Sequence, residues 1–263
     1  MIICAAGDIH GALNRFYDGV LAFEESLEVA FDWVLHVGDF GVWPEPNRID
    51  GATRRHDGAG DFPHWHADGR AVPRPTVFIK DNHEDFVWLD AHPTGEVLPG
   101  LHYLRNGEVR TLGGGEDANS VGGLGGCYGP SDYDRPGSSL EGYRKRHYTA
   151  NEIESLASRA GIDILLLHDA PAGVRIPRGR GGELVSASAG LDALIARTRP
   201  RLCFFGHHHT RVQVEVDGVR CIGLNKVAMP GHLVAIEIRS REAGWRSLGE
   251  WPAQTPRDNQ RVG

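Results

Sequence analysis

Short apolar runs recur along the chain, and each gives way to a turn built on glycine, aspartate or histidine. Residues 2–6 (IICAA) lead into GDIHG at 7–11, 33–37 (WVLHV) into GDFG at 38–41, and 76–79 (TVFI) into KDNHE at 80–84. Residues 162–167 (IDILLL) lead into HDAP at 168–171, and 202–205 (LCFF) into GHHH at 206–209. Runs of this kind, apolar at successive positions, predict strands buried on both faces. Elsewhere the spacing is helical: between residues 13 and 30, Leu13, Phe16, Val20, Leu21, Phe23 and Leu27 fall largely on one stripe. Thr149 and Glu152 have the spacing of a capping box opening a helix over 153–160, which Gly161 stops. Ser188 is expected to cap another helix, carrying Leu191, Leu194 and Ile195 and closed before Pro200. A strand over 121–124 leaves the glycine-rich stretch 113–129, and residues 211–216, 219–224 and 233–238 alternate as antiparallel strands do, with Asp217-Gly218 as a hairpin turn.

Strands alternating with helices predict an α/β fold whose strand ends present loops to a common rim. Residues 45–75 and 131–142, rich in Gly, Pro and charge, read as loops. The first carries His56, His64, Trp65 and His66; an exposed loop is expected, with a flap over a substrate as the alternative. One domain over 1–253 and a polar, frayed tail over 254–263 complete the expected organisation.

Composition narrows the function. The 263 residues carry 28 Lys+Arg against 35 Asp+Glu, a formal net charge of −7. That balance argues against a protein coating a long stretch of nucleic acid through broad basic surface, but leaves room for a local phosphate site where bound cations add charge. Cys4, Cys127, Cys203 and Cys221 form no CxxC pair and are expected to be small buried hydrophobes in a reducing compartment. No apolar run reaches the roughly 18 residues that span a bilayer. Met1 leads directly into IICAA without a basic segment, so the expected address is cytoplasmic, without a signal peptide. The 14 histidines and 35 glycines cluster together, which points to metal chemistry on tight loops.

Five strand ends carry Asp8, His10, Asp39, Asn82, His168, His207 and His209. Singly, each has a plainer reading: Asp8 or Asp39 could cap a helix, and His168 could be a hydrogen-bonded core histidine. Jointly, they are the carboxylate, amide and imidazole donors of a divalent-cation site. Asp8 and His10, like His207 and His209, are two apart, so on extended backbone both members of a pair face one side, and His208 points away. Two cations about 3.5–4 Å apart need a shared ligand, and a carboxylate such as Asp39 is able to bridge them.

GDIHG, GDFG, the NHE of 82–84, His168 and GHHH, in this order over residues 2–209, resemble the five motifs of the calcineurin-like metallophosphoesterases. The resemblance implies a two-sheet α/β sandwich flanked by helices, with a binuclear metal site between the sheet ends. It implies Asp8, His10, Asp39 and His209 around one cation and Asp39, Asn82, His168 and His207 around the other. It also implies His83 as the catalytic residue that hydrogen-bonds the phosphate or protonates the leaving group. The cations would be Mn, Fe or Zn.

Departures from the family pattern refine this. Val42 replaces the second Asp of the GDxVDRG form, which argues against a Ser/Thr protein phosphatase or a symmetrical dinucleoside tetraphosphatase. TVFIKDNHEDFVWLD (76–90), VGGLGGCYGPSDY (121–133) and GIDILLLHDAP (161–171) resemble the RNA lariat debranching branch, although that branch commonly has Cys where Asp8 stands. Asp81 replaces the usual glycine, and is expected to weaken activity or alter metal affinity. Tyr143-Arg144-Lys145-Arg146-His147-Tyr148 interleaves aromatic and basic residues; Arg144 and His147 are candidate substrate contacts, the alternative being a solvated approach to the next helix. The expected function is a binuclear phosphodiesterase on a nucleotide or RNA-type substrate. The alternatives are a phosphomonoesterase on nucleotides or small organic phosphates and a non-catalytic metal-binding scaffold.

Overall fold

The structure, a computed structural model, describes residues 1–92, 94–115, 118–178, 181–239 and 244–252. The tail expected at 254–263 lies outside the described residues. In chain order the strands and helices are β1 (Ile2–Ala6), α1 (Leu13–Leu27), β2 (Trp33–His36), α2 (Asp61–Ala67), β3 (Thr76–Phe78), α3 (Phe86–Asp90), β4 (Glu96–Leu98) and β5 (Leu101–Tyr103). There follow β6 (Val109–Leu112), β7 (Asn119–Leu124), α4 (Ala150–Ala157), β8 (Ile164–Leu167), β9 (Arg175–Pro177), β10 (Glu183–Val185) and α5 (Leu191–Thr198). β11 (Leu202–Phe205), β12 (Val212–Val216), β13 (Val219–Gly223), β14 (Leu233–Ile238) and β15 (Trp245–Trp251) complete them.

Two mixed sheets result, ordered β15-β14-β1-β2-β3-β5-β4 and β12-β13-β11-β8-β7-β6, and β9 and β10 form a separate ribbon. In each large sheet the central strands are parallel, β1-β2-β3-β5 in one and β7-β8-β11-β13 in the other, and the flanking pairings are antiparallel. The apolar strand runs are explained by what lies on either side. Ile3, Ala5, Leu35, Val37, Val77 and Ile79 pack with Val121, Ile164, Leu166, Leu202, Phe204 and Ile222 between the sheets. Their neighbours Cys4, Ala6, Val34 and Phe78 pack with Leu13, Phe16, Val20 and Phe23 of α1. On the far side, Leu165, Leu167, Cys203 and Phe205 pack with α4 and α5 through Ile153, Leu156, Leu191, Leu194 and Ile195. Both faces of each central strand therefore leave water, at about 1.5–3 kcal/mol per large apolar side chain. The α/β two-sheet sandwich expected from the sequence is the fold observed.

Several local expectations change. The Thr149–Glu152 capping box forms, but α4 ends at Ala157, before Gly161 is reached. α5 starts after Gly190, whose φ of 79° no side chain favours, and Ser188 Oγ accepts a hydrogen bond from Ser186 instead of capping the helix. Residues 233–238 pair antiparallel with β1 in the first sheet, not with the hairpin of β12 and β13. Residues 45–75 are not an exposed loop: they contain α2, and Trp65 is buried and stacked on Tyr17 at 5.4 Å. Asp61 at the head of α2 accepts the Asn14 N–H at 2.9 Å, capping α1, whose own N-cap, Ala12, makes no side-chain hydrogen bond.

Candidate metal centre

The carboxyl ends of β1, β2, β3, β8 and β11 open onto one rim, where open α/β sheets place their chemistry. All seven predicted ligand residues follow these strand ends. His10 Nε2 lies 3.3 Å from Asp39 Oδ2, and His168 Nε2 lies 3.8 Å from the same oxygen. Asp39 thus stands between two imidazoles from different strands, as a bridging carboxylate must. His209 Nε2 is 3.1 Å from Asp8 Oδ2, and His168 Nε2 is 3.2 Å from His207 Nδ1. One group of possible ligand atoms gathers on Asp8, His10, Asp39 and His209, another on Asp81, Cys127, His168 and His207, and a smaller third on His10, His56 and His83.

The backbone that delivers these groups is not extended. His10, Asp39, His207 and His209 have φ of 51°, 53°, 64° and 50°. Each lies in the left-handed region, at a cost of about 1 kcal/mol or more for a residue with Cβ. The spacing of two therefore works through tight turns, and the expectation of paired side chains on extended backbone is corrected. Glycine enters where the two sheets' loops meet. A Cβ on Gly206 would lie 2.3 Å from Asp8 Oδ1, and one on Gly38, at φ 101°, would lie 2.4 Å from His168 Nδ1.

Hydrogen bonds fix the donors. His168 Nδ1 donates to the Val37 carbonyl at 2.7 Å, which turns Nε2 toward Asp81 and Asp39. The His207 N–H donates to Asp8 Oδ2 at 3.0 Å. Glu84, fully enclosed, accepts from Phe40 N–H at 2.7 Å and Asp81 N–H at 2.7 Å, tying the loops after β2 and β3 together. His83 donates its backbone N–H to Asp39 Oδ1 at 3.2 Å, and its ring Nδ1 is 2.7 Å from Thr53 Oγ1. His208 turns away, as expected, with Nε2 3.2 Å from Asp169 Oδ1.

The electrostatics follow from burying several carboxylates beside imidazoles. Burial, then the charge of Asp81, raises the Asp39 pKa well above the ordinary carboxylate range. Glu84 is raised likewise, by burial and then by Asp39. Burial opposes ionisation of Asp8 as well, but the His209 hydrogen bond and the His168 charge bring its pKa below the ordinary value. For His168 burial disfavours charge, yet the neighbouring Asp81 and Asp39 carboxylates raise its pKa well above normal. His10, where burial dominates, falls to about 4. Crowded buried carboxylates beside imidazole nitrogens are a donor set that divalent cations fit.

Several residues that the structure places beside the predicted ligands were not expected there from sequence. Cys127, read as a buried hydrophobe, has Sγ 3.1 Å from Asp81 Oδ1 and 3.6 Å from His207 Nδ1. Asp81 is not in the left-handed region, so glycine is not required there, and its Oδ2 lies 2.8 Å from His168 Nε2. His56, from the supposed exposed loop, stacks on His10 with centroids 3.8 Å apart. The advance signal for His56 was the run of histidines in residues 45–75; Cys127 had none. Asn82 is in the cluster, with Oδ1 3.6 Å from Cys127 Sγ. Arg144 and His147 are outside it: Arg144 Nη1 pairs with Asp132 at 2.5 Å, and His147 Nε2 lies 4.0 Å from the same carboxylate. A backbone bridge between Cys127 and His147 sets that segment at the edge of the cluster.

A two-sheet sandwich with this rim of ligands is the architecture of a dimetal hydrolase. The family model for calcineurin-like phosphoesterases matches residues 1–211, and the chain belongs to that family of metal-dependent phosphoester hydrolases. It is 26% identical over 239 residues to the lariat debranching enzyme of Schizosaccharomyces pombe, a match covering 80% of this chain and 48% of the relative. It is 26% identical to the lariat debranching enzyme of Arabidopsis thaliana over 98% of this chain and 69% of that protein. The chain therefore spans about half the length of the first relative and about two thirds of the second. A dimetal phosphatase from Danio rerio shares the fold, with a TM-score of 0.50, 12% identity, and coverage of 90% of this chain and 92% of its own. Among the described residues no helix is long and apolar enough to cross a membrane.

Proposed function

We propose that the chain hydrolyses a phosphodiester in a nucleotide or RNA-type substrate. Asp8, His10, Asp39 and His209 would hold one divalent cation, and Asp39, Asn82, His168 and His207 the other. The observation that carries this reading is the position of Asp39 Oδ2, within 3.3 Å of His10 and 3.8 Å of His168, between the two donor groups. Bound there, a pair of Mn, Fe or Zn ions would supply an acidified water and positive charge for the phosphate oxygens. His83 is the catalytic residue in this reading. With Nδ1 engaged by Thr53, its Nε2 is left to hydrogen-bond a phosphate oxygen and to hold the proton that the leaving oxygen takes up. Thr53 and the Asp39 carboxylate position His83 from two sides.

A cavity of ≈ 430 Å³ supports the diester and the nucleotide character. Trp43, Asn82, Phe86 and Tyr143 line it, so a metal-site residue shares a wall with three aromatic rings. Its size and lining suit a nucleoside on one side of the scissile phosphate. Tyr143 also lines a polar cavity with Arg135, Glu141 and Arg144, where a flanking phosphate would compete with Asp132 for the two guanidinium groups. Arg144, with His147 at the cluster's edge, is the substrate contact proposed here. The debranching enzymes among the relatives make RNA the first polymer to test. A cytoplasmic setting belongs to the same proposal and is supported by four free cysteines.

The test is hydrolysis of bis-p-nitrophenyl phosphate and p-nitrophenyl phosphate with added Mn²⁺, followed by oligoribonucleotides with 2′–5′ or 3′–5′ linkages. Preference for the diester is expected. Faster monoester cleavage would replace this reading by the phosphomonoesterase, and cleavage of neither with metal bound would replace it by the scaffold.

A further inference from the structure

The second donor group differs from the set that the family resemblance implies. Five separations describe it: Asp81 Oδ2 to His168 Nε2 at 2.8 Å, Asp81 Oδ2 to His207 Nδ1 at 3.9 Å, and Asp81 Oδ2 to Cys127 Sγ at 3.3 Å. His168 Nε2 to His207 Nδ1 is 3.2 Å, and Cys127 Sγ to His207 Nδ1 is 3.6 Å. Ligands at zinc–nitrogen, zinc–oxygen and zinc–sulfur bond lengths on a tetrahedron have edges of about 3.3–3.8 Å. The observed edges straddle that range. One carboxylate, one thiol and two imidazoles from β3, β7, β8 and β11 strand ends thus face a common point.

We infer that this chain holds its second cation through Asp81 and Cys127 as well as His168 and His207, giving a thiolate-containing site selective for Zn²⁺ over Mn²⁺. A soft sulfur donor favours zinc or cobalt, whereas manganese prefers oxygen. Asp81 supplies the carboxylate that the usual glycine could not, and Asn82, beside the sulfur, becomes a further donor on the same face. On binding, the S–H bond breaks as the sulfur–metal bond forms, and the proton leaves to solvent; no electron is transferred. The other three cysteines are buried within the sheets and lie outside both ligand groups, so a sulfur signature in this protein reports Cys127.

The inference rests on the metal-dependent reading, but its test does not use turnover. Protein stripped with chelator is titrated with Co²⁺ alone and followed by absorbance. A near-ultraviolet sulfur-to-cobalt charge-transfer band is expected with the wild-type chain and with Cys4→Ser, and its loss in Cys127→Ser. In competition, Zn²⁺ should be preferred to Mn²⁺ at the second position, and Cys127→Ser should narrow that preference about tenfold or more. Cobalt binding without the band, survival of the band in Cys127→Ser, or no cobalt binding would each overturn the inference. Diester hydrolysis without the band would remove the sulfur ligand and keep the proposed function. The band without hydrolysis would do the reverse.

Discussion

The two halves of the candidate metal centre are built alike and furnished differently. Around Asp8, His10, Asp39 and His209 the donors are oxygen and nitrogen, and three of these four residues sit on left-handed backbone. Around Asp81, Cys127, His168 and His207 a thiol and an additional carboxylate enter, and His207 alone is left-handed. The first group brings together the four residues that the family resemblance implies around one cation. The second gathers the two implied histidines with Asp81 and Cys127, beside Asn82 and within reach of the shared Asp39. Turn geometry constrains a ligand less than its neighbours do: a side chain reaches the centre wherever a strand end points at it.

Four substitutions break or sharpen that contrast, in order of expected effect. Asp39→Asn removes the charge both halves share, and should bring hydrolysis to assay background with loss of both cations by metal analysis. His83→Ala should lower kcat by about 10²–10⁴ while metal content stays intact; loss of metal would move His83 from the catalytic to the metal-holding role. Asp81→Asn should weaken zinc at the second position by about 10–100-fold in chelator competition and leave the first position within error; equal loss at both would erase the distinction between the halves. Thr53→Val should lower kcat by about tenfold without changing metal affinity, because it releases the His83 ring alone.

A pH experiment addresses the chain around the centre. His36, wholly buried on β2, is pushed down to about 3 by burial. A histidine with a depressed folded-state pKa adds stability fully present above its ordinary pKa of about 6.5 and lost as pH falls toward the folded value. Apoprotein melting temperature should therefore drop on acidification from about pH 6.5 toward 3. His36→Phe should flatten that slope by a few kcal/mol at most in chemical denaturation. An unchanged slope would place the acid sensitivity in the ligand histidines.

The strands that carry the site were legible because burial on two faces leaves continuous apolar runs such as ILLL in β8 and LCFF in β11. Other strands, among them β15 and the β9–β10 ribbon, were not. β15 reads WRSLGEW and is half exposed, and the β9–β10 ribbon lies largely in solvent, so neither needed an apolar pattern. The helix α2 hid in a stretch of Gly, Pro and charge because Trp65 finds its burial only against Tyr17, from a different part of the chain. Within the site, Asp8, His10 and Asp39 could be read from motif position, since each follows its strand directly. Cys127 could not: nothing local distinguishes a thiol beside glycines from a core cysteine until β7 is set beside β8.

The left-handed turns at residues 10, 39, 207 and 209 also carry a historical consequence. Such conformations penalise most residues with a Cβ, asparagine and aspartate less than others, and the work done by the imidazole or carboxylate offsets that penalty. Once that work ceases, glycine relieves the tension at no loss, and selection no longer opposes it. Descendants that have retired from hydrolysis should thus accumulate glycine or asparagine at these four places before their sheets change at all. The turns would then serve as a clock for abandonment, readable in any lineage whose chemistry has never been assayed.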